Sequence, residues 1–268
     1  TAGTGGFGVL NSSYAEYSMF CKWVTTVFMA LFGMNFNFYY LVILRKVKDA
    51  VKMEEIRWYL IVFFFASITI LFDLRYAGIL GNGAQTVDAF FSVSSVMTTT
   101  GYATADFNLW PSYSRTVLVT LMFIGACAGS TGGGIKVSRL VIYIKTLARE
   151  LRRMTHPRSV RHIQMDGKTV DGSVLQNTFA YLAVYVLVFA VSLLIVSLDG
   201  LDLTTNFTAI AATFNNIGPG LELVGPTGNF DCYSFLSKIV MIFDMLAGRL
   251  EIYPLMIFFL PSTWKRHS

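Results

Sequence analysis

Three short tracts in this chain repeat one order of residue types: Thr4-Gly5-Gly6-Phe7-Gly8, Thr99-Thr100-Gly101-Tyr102-Ala103 and Asn216-Ile217-Gly218-Pro219-Gly220. Glycine tolerates positive φ, so each tract can hold a backbone whose carbonyls turn toward a common axis. Rings of carbonyl oxygens replace the hydration shell of a hard monovalent cation such as potassium. An anion would want donors instead, and no Lys or Arg stands near the tracts. Two further features could act on such a site: the run Gly129-Ser130-Thr131-Gly132-Gly133-Gly134, and Arg249 in an otherwise apolar stretch. Catalytic chemistry is poorly served. Asp73, Asp88, Asp106, Asp199 and Asp202 are scattered, His156, His162 and His267 lie in basic segments, and no nucleophile stands beside a base. Cys21, Cys127 and Cys232 lack metal-ligand or redox spacing and read as small packing residues.

The elements that must position these tracts belong to a membrane protein. Of 268 residues, 54% are hydrophobic and only 14% charged, against roughly 25% charged in soluble domains. Five apolar runs approach the length of about 20 residues that crosses a bilayer core: Tyr17 to Leu44, Ile56 to Phe72, Arg115 to Ile144, Leu175 to Leu198, and Phe235 to Leu260. The net charge of +5 is unevenly placed. Sixteen of the 21 Lys and Arg fall in Arg45 to Arg57, Lys136 to Lys168, and Lys265 with Arg266. The segments Asp73 to Asp106 and Asp199 to Asp231 hold seven acidic residues and one basic one. By the positive-inside rule the basic loops and the Trp264-Lys265-Arg266 end are cytoplasmic and the acidic segments outside. A nucleic-acid surface has no fold signature to accompany it.

Each acidic outer segment contains an apolar stretch too short to span, Thr86 to Thr98 and Thr204 to Phe214, with a threonine at its start for an N-cap. Such stretches fit re-entrant helices, and each runs into a glycine-bearing tract. The order span, short helix, tract, span therefore occurs twice, with Gly101 and Gly218 in equivalent places. The opening Thr4 to Gly8 is a third, partial copy, with Gly6 matching Gly101. No signal peptide is visible at Thr1 to Gly8, and the start reads as lying inside a repeat. The expected organisation is a filter and second membrane helix of a partial repeat over 1–50, a complete repeat over 51–150, and a basic loop followed by a second complete repeat over 151–268. Irregular backbone at membrane depth is tolerated only where protein or a water-filled path surrounds it. The glycine run, costing about 1 kcal/mol per glycine in a helix, is then either a packed kink or an intramembrane loop. A charge such as Arg249 within a span must face the interior and be paired.

The runs Thr98 to Asp106, Ala126 to Lys136, Asn215 to Gly220 and Gly248 to Glu251 resemble the signature runs of the Trk/Ktr/HKT superfamily of potassium transporters, most closely its TrkH-type subunits. That resemblance implies an all-α polytopic membrane protein of repeated membrane helix, pore helix, filter, membrane helix units around a pseudo-fourfold pore. It implies potassium uptake across the bacterial inner membrane, with K+ as transported ion and no organic cofactor. Filter roles carry over to Thr4, Gly5, Gly6, Thr99, Thr100, Gly101, Asn216, Ile217 and Gly218, although the last tract departs from Thr-x-Gly. The resemblance makes Gly129, Ser130, Thr131, Gly132, Gly133 and Gly134 an obstructing gate loop, which Arg249 is expected to hold by its carbonyls. It also implies a homodimer and a cytosolic nucleotide-binding ring of the TrkA type, for which the basic Lys145 to Lys168 loop is the expected docking surface. The competing reading is an ion-coupled secondary transporter with broken helices, which would favour inverted rather than parallel repeats.

Overall fold

The computed structural model describes residues 1–4, 6, 8–10, 12–79, 83–156 and 162–249. Among them the architecture is helical, with one two-stranded hairpin. In chain order the elements are α1 (Met19–Phe32), α2 (Phe36–Ile43), α3 (Val47–Lys52), α4 (Glu54–Ala77), α5 (Ala84–Met97), α6 (Ser112–Phe123), α7 (Val137–Thr155), β1 (Gln164–Met165), β2 (Lys168–Thr169), α8 (Gly172–Val196), α9 (Leu203–Phe214) and α10 (Phe235–Arg249).

By length and composition α4 and α8 can each cross a bilayer. At about 1.5 Å per residue their 24 and 25 residues reach roughly 36 Å. Helix α8 contains no charged residue and shows Phe179, Val186, Leu187, Val191 and Leu194 on its exterior, the surface a hydrocarbon solvent requires. The first expected span is not one helix. α1 and α2 meet at 92° across Gly33-Met34-Asn35, because Asn35 Oδ1 accepts the Asn37 amide (2.9 Å) and so starts a new helix. Gly33 meanwhile lies against Thr98, whose Cγ2 would stand 2.7 Å from any Cβ there. The third span is broken too. α6 stops at Phe123, residues 124–136 are irregular, and α7 runs on to Thr155, well past the expected Ile144. Of the fifth span, residues up to Arg249 are described, and its expected end at Leu260 lies outside them.

The two short helices expected in the outer segments are α5 and α9. Their N-caps differ from the expected threonines: α9 is capped by Asp202, which accepts from the Thr205 amide at 2.9 Å, and α5 begins after Gly83 with no side-chain cap. Both helices are almost wholly buried. α4, α5 and α6 enclose one core around Tyr59, Phe63, Val93, Met97, Leu118 and Met122. α8, α9 and α10 enclose a second around Val196, Ile210 and Met241. Of the cysteines only Cys127 packs inside; Cys21 and Cys232 are exposed, so the packing role expected for all three holds for one.

Candidate cation site

The ends of α5 and α9 have the same backbone, residue for residue. Thr98 and Asn215 close the helices with φ, ψ of −88°, 1° and −92°, 2°. The next residues, Thr99 and Asn216, sit in the left-handed region at φ 55° and 57°, where non-glycine residues are uncommon. Thr100 N then reaches back to Ser95 O and Ile217 N to Ala212 O, each at 2.8 Å. This is the Schellman pattern, in which a left-handed residue lets the following amide satisfy a carbonyl of the last helical turn. Two residues beyond the left-handed position, Gly101 and Gly218 again take positive φ, 85° and 109°. The opening tract repeats the sequence of states, with Thr4 at φ 48° and Gly6 at 68°. Gly5, placed with these by sequence, lies outside the described residues.

The three tracts converge. A Cβ on Gly6 would lie 2.7 Å from Thr100 O and 3.3 Å from Gly101 Cα, and one on Gly101 would collide with Ile217 O. A Cβ on Gly218 would meet Gly101 Cα at 4.0 Å. Thr98, Thr99, Thr100 and Ile217 are buried at this meeting point. Glycine is thus required at Gly6 and Gly101 by close approach of neighbouring backbone as well as by φ.

Directly against the tracts lies the glycine run. Gly133 N donates to Thr99 Oγ1 at 2.7 Å, and Cβ atoms on Gly132 and Gly133 would stand 3.1 Å from Thr98 O and 2.6 Å from Asn215 O. Arg249 Nη1 donates to Thr131 O at 2.7 Å and to Thr4 Oγ1 at 3.1 Å; Thr4 Oγ1 in turn donates to Thr131 O at 3.1 Å. One arginine therefore joins the last helix, the opening tract and the loop. Ser130 Oγ stays within the loop, on Cys127 O, while Gly129 and Gly134 take positive φ to turn the chain at either end of the run. Lys136 Nζ donates to Gly132 O.

Some residues that organise the site carry no local sequence signal. Glu55, 4% exposed, accepts from the amides of Ala128 (2.6 Å) and Ser138 (3.1 Å) and from Asn35 Nδ2 (3.2 Å). The bend after α1 is stitched to the loop by Cys127 N to Gly33 O (3.0 Å) and Phe36 N to Gly129 O (3.2 Å). Tyr185 donates to the buried Asn215 Oδ1 at 2.9 Å. At the N-terminus of α9, Thr205 donates to Asp202 from both its hydroxyl and its amide, holding that carboxyl below the usual carboxylate range.

A family model described as "TrkH: Cation transport protein" matches residues 1–266. The chain is 32% identical to the Trk system potassium uptake protein TrkH of Escherichia coli K12 over 99% of its own length and 55% of that protein's. It is 34% identical to TrkH of Vibrio parahaemolyticus over the same shares. The crystal structure of the potassium transporter TrkH from Vibrio parahaemolyticus superposes with a TM-score of 0.88 at 31% identity, covering 98% of this chain and 57% of that one. The chain thus spans about half the length of the curated relatives it matches. The family assignment and the long apolar helices make it a membrane protein of a transport class, and this chain belongs to the TrkH family of cation transport proteins.

Proposed function

We propose that the complete subunit carries potassium ions across the bacterial inner membrane through a path lined by the carbonyls of the three tracts. The observation that carries this reading is the threefold recurrence of left-handed residue, intervening residue, positive-φ glycine at one meeting point. Dehydrated potassium needs carbonyl oxygens held at fixed positions, and helix-end geometry of this kind holds them without side-chain ligands. Relatives named as potassium uptake proteins support the choice of ion. In this reading Thr4, Gly5, Gly6, Thr99, Thr100, Gly101, Asn216, Ile217 and Gly218 form the filter, and 51–150 and 151–268 act as two parallel units. α5 and α9 bring the same ends to one point, which favours parallel over inverted repeats and hence a filter over a rocking transporter.

The run Gly129 to Gly134 obstructs the path beneath the filter, and Arg249 latches it by Thr131 O while placing a positive charge in the way of cations. The filters face outward and the basic loops face the cytoplasm, where the Lys145 to Lys168 segment docks a nucleotide-binding ring of the TrkA type on a homodimeric transporter. The name of the relatives, a Trk system, supports further components in general. In flux measurements on the complete reconstituted subunit, Gly101→Ser lowers potassium over sodium selectivity. Unaltered selectivity in a well-expressed variant removes Gly101 from the filter.

A further inference from the structure

We propose that Glu55 is the positioning residue that pins both feet of the glycine loop, leaving only the crown, Gly129 to Gly134, free to move. The inference rests on the gate reading above for its consequence in flux, and on hydrogen bonding alone for the pinning itself. Glu55 Oε1 receives two backbone amides: Ala128, where the chain enters the glycine run, and Ser138, just after it leaves. One oxygen atom thereby ties the two feet together, beside the backbone bonds Gly125 N to Ile135 O and Val137 N to Ala126 O that also join them. Its other oxygen receives Asn35 Nδ2, and Asn35 starts α2 with its own Oδ1, so the bend in the first span is tied to the same carboxylate.

The need for this carboxylate is visible in α7. That helix has no side-chain cap of its own, its N-cap position being Lys136, and the amides of a first turn lack intrahelical partners. Glu55, reaching across from the first turn of α4, supplies the missing acceptor for Ser138. It stands where α4 and α7 both begin, and helix N-termini carry partial positive charge. Hydrogen bonds to a buried charged group are about twice as strong as neutral ones. Within the crown Gly129 O takes the Phe36 amide and Gly132 O the Lys136 ammonium, while Thr131 O is held by Arg249 and Thr4 and Gly133 N by Thr99. The partners of Thr131 and Gly133 come from α10 and the tracts, and can let go while the feet stay in place.

Cys127 gives a reporter of the feet. It sits beside Ala128, is fully buried, and donates its amide to Gly33 O. In the complete subunit with the exposed Cys21 and Cys232 changed to serine, reaction of Cys127 with a water-soluble maleimide reads movement of the base, and potassium flux reads the crown. Glu55→Gln, which keeps one acceptor oxygen for the two amides but loses the charge and sets a donor against Asn35 Nδ2, is expected to raise Cys127 labelling about tenfold and also to raise flux, losing a charge-assisted bond being about a tenfold shift in an equilibrium. Glu55→Asp, which keeps the charge with a shorter reach, gives a smaller rise of the same sign, and decides the matter if Glu55→Gln does not fold. Arg249→Ala is expected to raise flux with Cys127 labelled at the parent rate. Cys127 as protected in both Glu55 variants as in the parent, or equally unmasked by Arg249→Ala, overturns the proposal. Flux that fails to rise in Arg249→Ala while Cys127 is unmasked by Glu55→Gln supports the pinning and counts against the gate instead.

Discussion

The tract after α5 and the tract after α9 share a backbone and almost nothing else. After α5 the support is made of hydroxyls: Thr98 and Thr100 pair at 2.8 Å, and Thr99 accepts from the glycine loop. After α9 it is made of amides: Asn215 is held by Tyr185 and by Ala211 O, and Asn216 donates to Met245 O in α10 at 3.0 Å. What the two share lies in the helix-end pattern, a left-handed residue followed two places on by a glycine of positive φ. Side chains then serve as braces to whatever lies behind each tract, and are free to differ. The departure of Asn216-Ile217-Gly218 from Thr-x-Gly is therefore a change of brace, with the backbone kept.

The largest effect that could break this comparison comes from the glycines. At Gly101 an added Cβ meets both unfavourable φ and the Ile217 carbonyl, whereas at Gly218 it meets only φ, with its nearest neighbour at 4.0 Å. The positive φ costs an L-residue about 1–2 kcal/mol at either site and cancels between them. Gly101→Ala should therefore lose more potassium flux than Gly218→Ala, by about tenfold for each ~1.4 kcal/mol that the Ile217 carbonyl clash adds. Equal losses would mean that close packing between the tracts plays no part.

Next in size is the latch. Arg249→Ala, or a shortened 129–134 loop, should raise flux, and the two together should raise it by less than the product of the singles, as residues acting in one unit do. Strictly multiplicative effects, or flux that falls in both singles with folding intact, would leave the glycine run a structural kink. The braces differ on a finer scale. Thr99→Val removes the acceptor for Gly133 N with little change of shape, and the loss of one hydrogen bond of about 1 kcal/mol predicts a rise in flux of several-fold. Asn216→Ala touches no hydrogen bond of the loop and should instead lower selectivity. A loop loosened equally by both changes would contradict the division of braces.

The smallest contrast is at the N-terminal ends of the same helices, since α9 has a carboxylate cap and α5 does not. Asp202→Ala should cost about 1 kcal/mol in thermal or denaturant stability. Because the Thr205 bonds depress the Asp202 carboxyl, the cap contributes in full above the ordinary carboxylate value of about 3.9. Its contribution fades as pH falls through the lowered folded value. Parent and variant should accordingly converge in strong acid, which pH-dependent unfolding would show.

Helix ends were legible because they are local. Glycines at fixed offsets after a short apolar stretch identify Gly101 and Gly218 before any contact is known, and a charge in an apolar run marks Arg249. The bend at Asn35 was not legible: the run from Tyr17 to Leu44 stays largely apolar through it, and the bonds that brace the local Asn35 cap come from a loop more than 90 residues away in sequence. Glu55 reads as part of a charged cytoplasmic edge, and its partners Ala128 and Ser138 stand 73 and 83 residues distant. The N-caps were missed by three residues at α5 and two at α9, where Asp202 competes with Thr204 and wins by accepting the Thr205 amide. Arg158 and Arg161, within the Lys145 to Lys168 segment, and Glu251, which closes the Gly248 to Glu251 run, lie outside the described residues.

The central claim is that carbonyls of the converging tracts hold dehydrated potassium. The most direct measurement is the structure of the complete subunit with thallium, a heavy potassium mimic, located by its anomalous scattering. Thallium density on the axis where Thr100 O and Ile217 O approach Gly6 and Gly101, lost on exchange into sodium, is the result predicted. Thallium bound only elsewhere, with nothing between these carbonyls, would contradict it.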